Sequence, residues 1–193
     1  MNLLSVLTEP QKIKAHVDDP AATLLLEGRL KEILSAAYRR PVVILCIGTD
    51  RSTGDALGPL TGTHLSRLNL PRLNVLGTLD EPVHATNLIH QLKYISETFP
   101  NPFVIALDAC LGRLDSVGCL TLAEGPLKPG AGVHKDLPPV GEAHLTGIVN
   151  VGGFMEYMVL QNTRLNLVWH MAETLSAIIS RSYLAASLSR LTE

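Results

Sequence analysis

Aromatic residues are scarce in this chain: Phe, Tyr and Trp make up 4% of its 193 residues, with a single tryptophan. A surface that stacks nucleobases needs more of them. Neither charge sign dominates, with 16 Lys and Arg against 18 Asp and Glu, all interspersed. The basic stripe of a nucleic-acid binder is therefore missing. The three cysteines, Cys46, Cys110 and Cys119, are odd in number and lack CxxC spacing. That excludes a disulfide framework and a cysteine-rich zinc site, and leaves them as small hydrophobes in or beside apolar runs. No apolar run reaches the roughly 18 residues that span a bilayer, so no membrane partner is expected. The segment Met1–Glu9 has no basic start and too short an apolar run for a signal peptide. A reducing cytoplasm is the expected compartment.

What is present is a well-buried globular pattern, 46% hydrophobic and only 18% charged, long enough for one domain with a two- or three-layer core. Residues 1–20, with Pro10 and Pro20, have weak periodicity and read as an N-terminal extension. Residues 21–193 read as the single domain. Asp18 or Asp19 before Pro20 marks a helix start, and Ala21–Tyr38 has helical apolar spacing. Val42–Ile47, Leu73–Gly77, Phe103–Leu107, Val117–Leu122 and Leu165–Val168 read as strands. Leu57–Leu68, His84–Thr98, Gly147–Leu160 and Met171–Leu188 read as helices. Continuous apolar strands alternating with helices predict a three-layer α/β/α fold on a mostly parallel, five-stranded mixed sheet. The connection from Asp108 to Val117 is too short for a helical crossover, so Val117–Leu122 should pair antiparallel.

The strand Val42–Ile47 empties into Gly48-Thr49-Asp50-Arg51-Ser52-Thr53-Gly54-Asp55 before a helix. The strand ending at Leu107 empties into Asp108-Ala109-Cys110. In open α/β sheets ligands bind beyond the carboxyl ends of the strands. Asp55 could simply cap its helix and Asp50 brace the loop through an Asx-turn, but Asp108 has no helix directly after it. Two carboxylates brought together resist joint ionisation, so one pKa rises. Such a pair can act as base and acid on a water. With a histidine added it can equally hold a divalent metal. The carboxylates alone do not choose.

Of seven histidines, His134 and His144 lie in or beside the long Gly- and Pro-rich stretch Pro126–Thr146, a length that usually marks a functional segment. His144-Leu145-Thr146-Gly147 precedes the expected helix at Ile148. His84 is a weaker candidate for the same sheet edge. The Gly48–Gly54 loop lacks the Gly-Lys-Ser/Thr ending of a P-loop and the GxGxxG of a dinucleotide site. No GxSxG surrounds Ser52 or Ser116. Cys110 has apolar neighbours that favour an inert thiol.

Ile47-Gly48-Thr49-Asp50 with Gly54-Asp55-Ala56-Leu57-Gly58-Pro59 resembles the first active-site motif of the germination protease of spore-forming bacteria. Val104-Ile105-Ala106-Leu107-Asp108-Ala109 resembles its second, and Pro129-Gly130-Ala131-Gly132-Val133 its proline–glycine loop. Over roughly residues 20–185 the chain is similar to the YyaC-type sporulation proteins, smaller relatives of that protease. The resemblance implies a phosphorylase/hydrolase-like α/β/α fold shared with the hydrogenase-maturation proteases. It implies a cytoplasmic, sporulation-associated peptidase of mother cell or forespore, acting on a protein or peptide. Asp55 and Asp108 would be its catalytic pair, with Asp50 and His134 in support. From the hydrogenase-maturation proteases it implies a second version of the site, in which Asp55, Asp108 and His144 hold nickel or zinc in a maturation factor or sensor. A non-catalytic binding protein on the same fold is the third reading, and a homo-oligomer is compatible with all three. The chain lacks the additional segments of the germination protease and has only a short N-terminal extension.

Overall fold

A computed structural model describes residues 12–37, 39–129 and 137–188. Six strands form one sheet in the order β1-β5-β6-β4-β2-β3: β1 (Ile13–His16), β2 (Val42–Cys46), β3 (Leu73–Leu76), β4 (Phe103–Gly112), β5 (Cys119–Glu124) and β6 (Ala143–Val151). The pairs β2/β3, β2/β4 and β4/β6 are parallel, whereas β5 runs antiparallel to both β1 and β6. The mixed sheet and the antiparallel β5 follow the pattern read from the sequence; the strand count is six, not five.

Three departures account for the difference. Ile13–His16, taken as part of an extension, closes one edge of the sheet by pairing with Cys119–Leu122. Ala143–Val151, expected to lead from loop into helix, is the strand between β4 and β5. Its β-branched Ile148, Val149 and Val151 suit a pleated surface better than a helix. Gly147 leaves room for the Leu57 side chain, which would have to shift if a Cβ stood there, 2.3 Å away. Leu165–Val168, read as a strand, is instead the first turn of a long helix.

Among the described residues, five helices accompany the sheet: α1 (Pro20–Ala36), α2 (Leu57–Arg67), α3 (Leu88–Thr98), α4 (Glu156–Gln161) and α5 (Leu165–Leu188). Asp19 caps α1, its carboxylate accepting from the Ala21 and Ala22 amides, with Pro20 in the first turn. None of the described helices is long and apolar enough to cross a membrane. On one face Ile44, Cys46, Ile105, Leu107, Leu120 and Leu145 pack under α1, α2 and α5. On the other, Val43, Leu45, Ile47 and Ala106 pack under Leu88 and Ile95 of α3. Burial on both faces explains why β2 reads as an unbroken apolar run. Each such Leu or Ile stabilises the fold by about 1.5–3 kcal/mol, which holds the strand ends in register.

The topology itself locates a crevice. From β2 the chain steps outward to β3, then returns through α3 to β4 on the opposite side of β2. The order thus reverses between β2 and β4, and ligands bind at the carboxyl ends of strands flanking such a switch point.

Candidate active site

Beyond β2 and β4 opens a cleft of about 490 Å³, lined by Asp55, Asp108, Ser52, His84, Cys110 and Tyr157 among others. The loop carrying Asp55 is wound tightly against the end of β2. Gly48 has φ +148°, and a Cβ there would lie 2.0 Å from the carbonyl oxygen of Asp55. That carbonyl accepts from the Thr49 amide at 3.1 Å. Gly58 approaches Ile47 just as closely, with 2.0 Å between a notional Cβ and the Ile47 oxygen. Only glycine allows these contacts, and together they fix where Asp55 leaves the backbone.

Asp55 sits in a 3-10 turn, Gly54–Ala56, that feeds α2; the residue at the cap of α2 is Ala56, and no side chain caps it. The helix-cap role open to Asp55 in the sequence is thus unused, and its half-buried carboxylate faces the cleft. Burial raises its pKa, opposed by the Ser52 hydroxyl beside it. Ser52 Oγ is itself buried and makes no well-formed hydrogen bond, so its effect on Asp55 is that of a nearby dipole.

Asp108 lies within β4 rather than after it, because pairing with β6 carries the strand on to Gly112. Its Oδ1 accepts the Ala109 amide at 2.9 Å. Burial pushes its pKa up to about 8; the Asp55 charge pushes the same way, and the Ala109 amide opposes both. The two aspartates therefore interact, as a pair at one site must. At neutral pH the proton resides on Asp108.

The other candidates fare differently. Asp50 is exposed and outside the cleft lining; its loop is braced instead by Thr49 Oγ1, which accepts the Arg51 amide at 3.3 Å. His134 lies outside the described residues. His144 is not at a helix entry. It is a residue of β6, registered against Ala106, and its Nδ1 is 2.9 Å from the Gly125 carbonyl. A ring tied to that carbonyl, one pleat below Asp108, does not join the two aspartates. Among the described residues no three His, Cys, Asp or Glu side chains form a group that could hold a metal ion. The set Asp55, Asp108 and His144 does not fit a metal in this conformation.

Among the described residues, the histidine that lines the cleft is His84, with Nδ1 2.9 Å from Thr86 Oγ1. Cys110 also faces the cleft, one pleat beyond Asp108. Burial raises its thiol pKa, Thr146 lowers it, and Asp108 raises it further. Arg51, Lys128 and Tyr157 complete the rim. Lys128 and Tyr157 lie far in sequence from either aspartate motif; the position of Lys128 just before Pro129-Gly130 was the only local signal.

The fold and site can now be set beside known proteins. A family model described as "Protein of unknown function (DUF1256)" matches residues 14–178. The chain is 52% identical over 177 residues to "Uncharacterized protein YyaC" of Bacillus subtilis (strain 168), covering 91% of this chain and 86% of that protein. In architecture it is similar to the [NiFe] hydrogenase maturation protease HycI from Thermococcus kodakarensis KOD1. The TM-score is 0.53 at 17% identity, over 79% of this chain and 98% of HycI. At that identity the likeness concerns the fold.

Proposed function

We propose that this chain, which belongs to the protein family of unknown function DUF1256, is a peptidase that hydrolyses with paired aspartates. The observation that carries the reading is the juxtaposition of two half-buried carboxyls, Asp55 and Asp108, in one cleft at the switch point, where burial and the Asp55 charge push the Asp108 pKa up to about 8. Paired carboxyls pushed to different proton affinities are the arrangement that supplies a base and an acid together.

Asp55, ionised, takes a proton from a water as its oxygen adds to the scissile carbonyl carbon. The carbonyl electrons move to oxygen and give a tetrahedral intermediate. Asp108 then donates its proton to the amide nitrogen, the C–N bond breaks, and an acid and an amine leave. Asp55 ends protonated and Asp108 ionised, and proton exchange with solvent restores the starting state. Each of these proton transfers typically contributes about 10²–10⁴-fold to rate.

The likeness to the germination protease extends the proposal to a role in the cytoplasm of spore-forming cells, with small acid-soluble spore proteins as first substrates to try. The test incubates purified protein with those proteins and with an unfolded general substrate, reading new termini by mass spectrometry. Cleavage by the natural chain, lost in Asp55→Asn and in Asp108→Asn, is the expected result. No cleavage of any substrate, or cleavage that survives Asp55→Asn, would overturn it.

A further inference from the structure

The protruding end of β4 has an open edge inside the cleft. In β4 the odd-numbered residues direct their backbone groups toward β2: Phe103 N–H donates to Pro41 and Leu107 C=O accepts from Ile47. The even-numbered ones turn toward β6, as Val104 C=O does in accepting from Glu142. The register shift beside Cys110 skips Val149 on β6. The extra residue therefore lies on β6, and β4 keeps its alternation to Gly112, whose carbonyl accepts from Gly152.

β2, however, ends at Cys46, and after Ile47 the chain turns away at Gly48. Ala109 and Leu111 thus point their backbone groups toward a strand that is no longer there. The Ala109 amide is taken by Asp108. Among the described residues, the Ala109 carbonyl and the Leu111 amide and carbonyl have no partner on that side. Both residues line the cleft and are half-buried.

A free strand edge is a template for another strand, and proteins ordinarily cover it. Here it lies on the same strand as Asp108, one to three residues further on. Tyr157, which lines the same cleft, is 61% exposed, and its sequence neighbours Phe154, Met155 and Met158 are exposed as well, Phe154 at 80%. Tyr157 belongs to both this apolar cluster and the cleft wall. Contiguous exposed apolar groups of this kind mark contact surfaces.

We infer that an extended, apolar segment of a polypeptide substrate binds as an added strand along Ala109–Leu111, with its side chains against Phe154, Tyr157 and Met158. Up to three backbone hydrogen bonds form, and recognition is of extended conformation more than of sequence. The inference rests on the peptidase reading, which supplies the occupant. The edge shares its cleft with Gly48, Thr49, Arg51, Ser52 and Lys128, and a crevice suits a single extended chain.

The probe is reduced, carboxymethylated α-lactalbumin, an unfolded polypeptide, offered to the Asp55→Asn protein so that it is bound and not consumed. Amide hydrogen exchange should show new protection at Leu111 when the probe is added. Leu111→Pro removes that amide where proline is tolerated, on an unpaired edge. It should weaken probe binding, read by fluorescence anisotropy, by about fivefold to tenfold, the equivalent of one hydrogen bond. Leu111→Ala keeps the amide and should retain most of the affinity. Unchanged protection at Leu111, or equal binding by Leu111→Pro, overturns the inference. If the probe binds this way but Asp55-containing protein never cuts it, the edge stands and the peptidase reading falls. If it is cut, and equally fast by Leu111→Pro, the reverse holds.

Discussion

Replacing Asp108 by Asn should stabilise this protein at neutral pH, and by an amount that depends on pH in a defined way. An unfolded chain releases the Asp108 proton near pH 4, whereas the folded protein holds it to about 8. Between those values folding takes up a proton, so stability falls as pH rises, by about 1.4 kcal/mol per pH unit. Below about pH 4 both states are protonated and nothing is lost; above about pH 8 the full cost applies. At pH 7, about three units above the unfolded value, the cost reaches at most about 4 kcal/mol. Asparagine cannot ionise, yet its Oδ1 can still accept the Ala109 amide that Asp108 accepts, so the variant escapes the cost without losing that bond. Urea unfolding of both proteins across this range should show curves that coincide near pH 4 and separate steadily above it. At pH 7 the melting temperature of the variant should be higher by up to about 8–16 °C. A stability difference that does not change with pH, or a variant less stable at pH 7, would refute the reasoning. The gain would identify Asp108 as a group kept at the expense of stability, as functional residues often are.

On substrates the natural chain should show a bell-shaped kcat/KM against pH. The acid limb reports Asp55, displaced above the ordinary carboxyl range by burial, and the basic limb falls at about 8 as Asp108 ionises. A profile flat to pH 9 would contradict the assignment of Asp108 as the acid. Gly48→Ala places a methyl 2.0 Å from the Asp55 carbonyl at a backbone angle that L residues rarely adopt. The expected loss is about 2 kcal/mol or more of stability, together with cleavage, measurable by urea titration and the same assay. Asp50→Ala, at an exposed position outside the cleft, should change stability by less than about 0.5 kcal/mol and leave cleavage as it was.

The family likeness and the fold class were legible in the chain, as were the two aspartates that the fold brings into one cleft. Val42–Ile47 and Phe103–Leu107 are apolar without alternation because both faces are buried, and α1 announces itself through Asp19-Pro20. These are local signals, in which each residue's neighbours in sequence decide its state. Ile13–His16 and Ala143–Val151 carry no such signal. The first is only four residues long, and the second combines a histidine, a glycine and an asparagine with apolar residues spaced ambiguously for helix or strand. Their strand state comes from partners far away in sequence: β5 for the first, β4 and β5 for the second.

The sequence by itself determined that two aspartates lie toward the carboxyl sides of two buried strands, Asp55 across a glycine-bounded loop from Val42–Cys46 and Asp108 directly after the apolar run Phe103–Leu107. Only the tertiary structure decided which of the supporting groups reach them. His144 faces the Gly125 carbonyl because Ala143–Val151 is a strand, and strand register puts its ring one pleat below Asp108. His84, Lys128 and Tyr157 reach the cleft instead, brought there by the crossover from β3, the connection that follows β5 and the segment after β6, respectively. The unequal proton affinities are likewise tertiary, for a carboxyl acquires a raised pKa only when distant segments fold over it and exclude water.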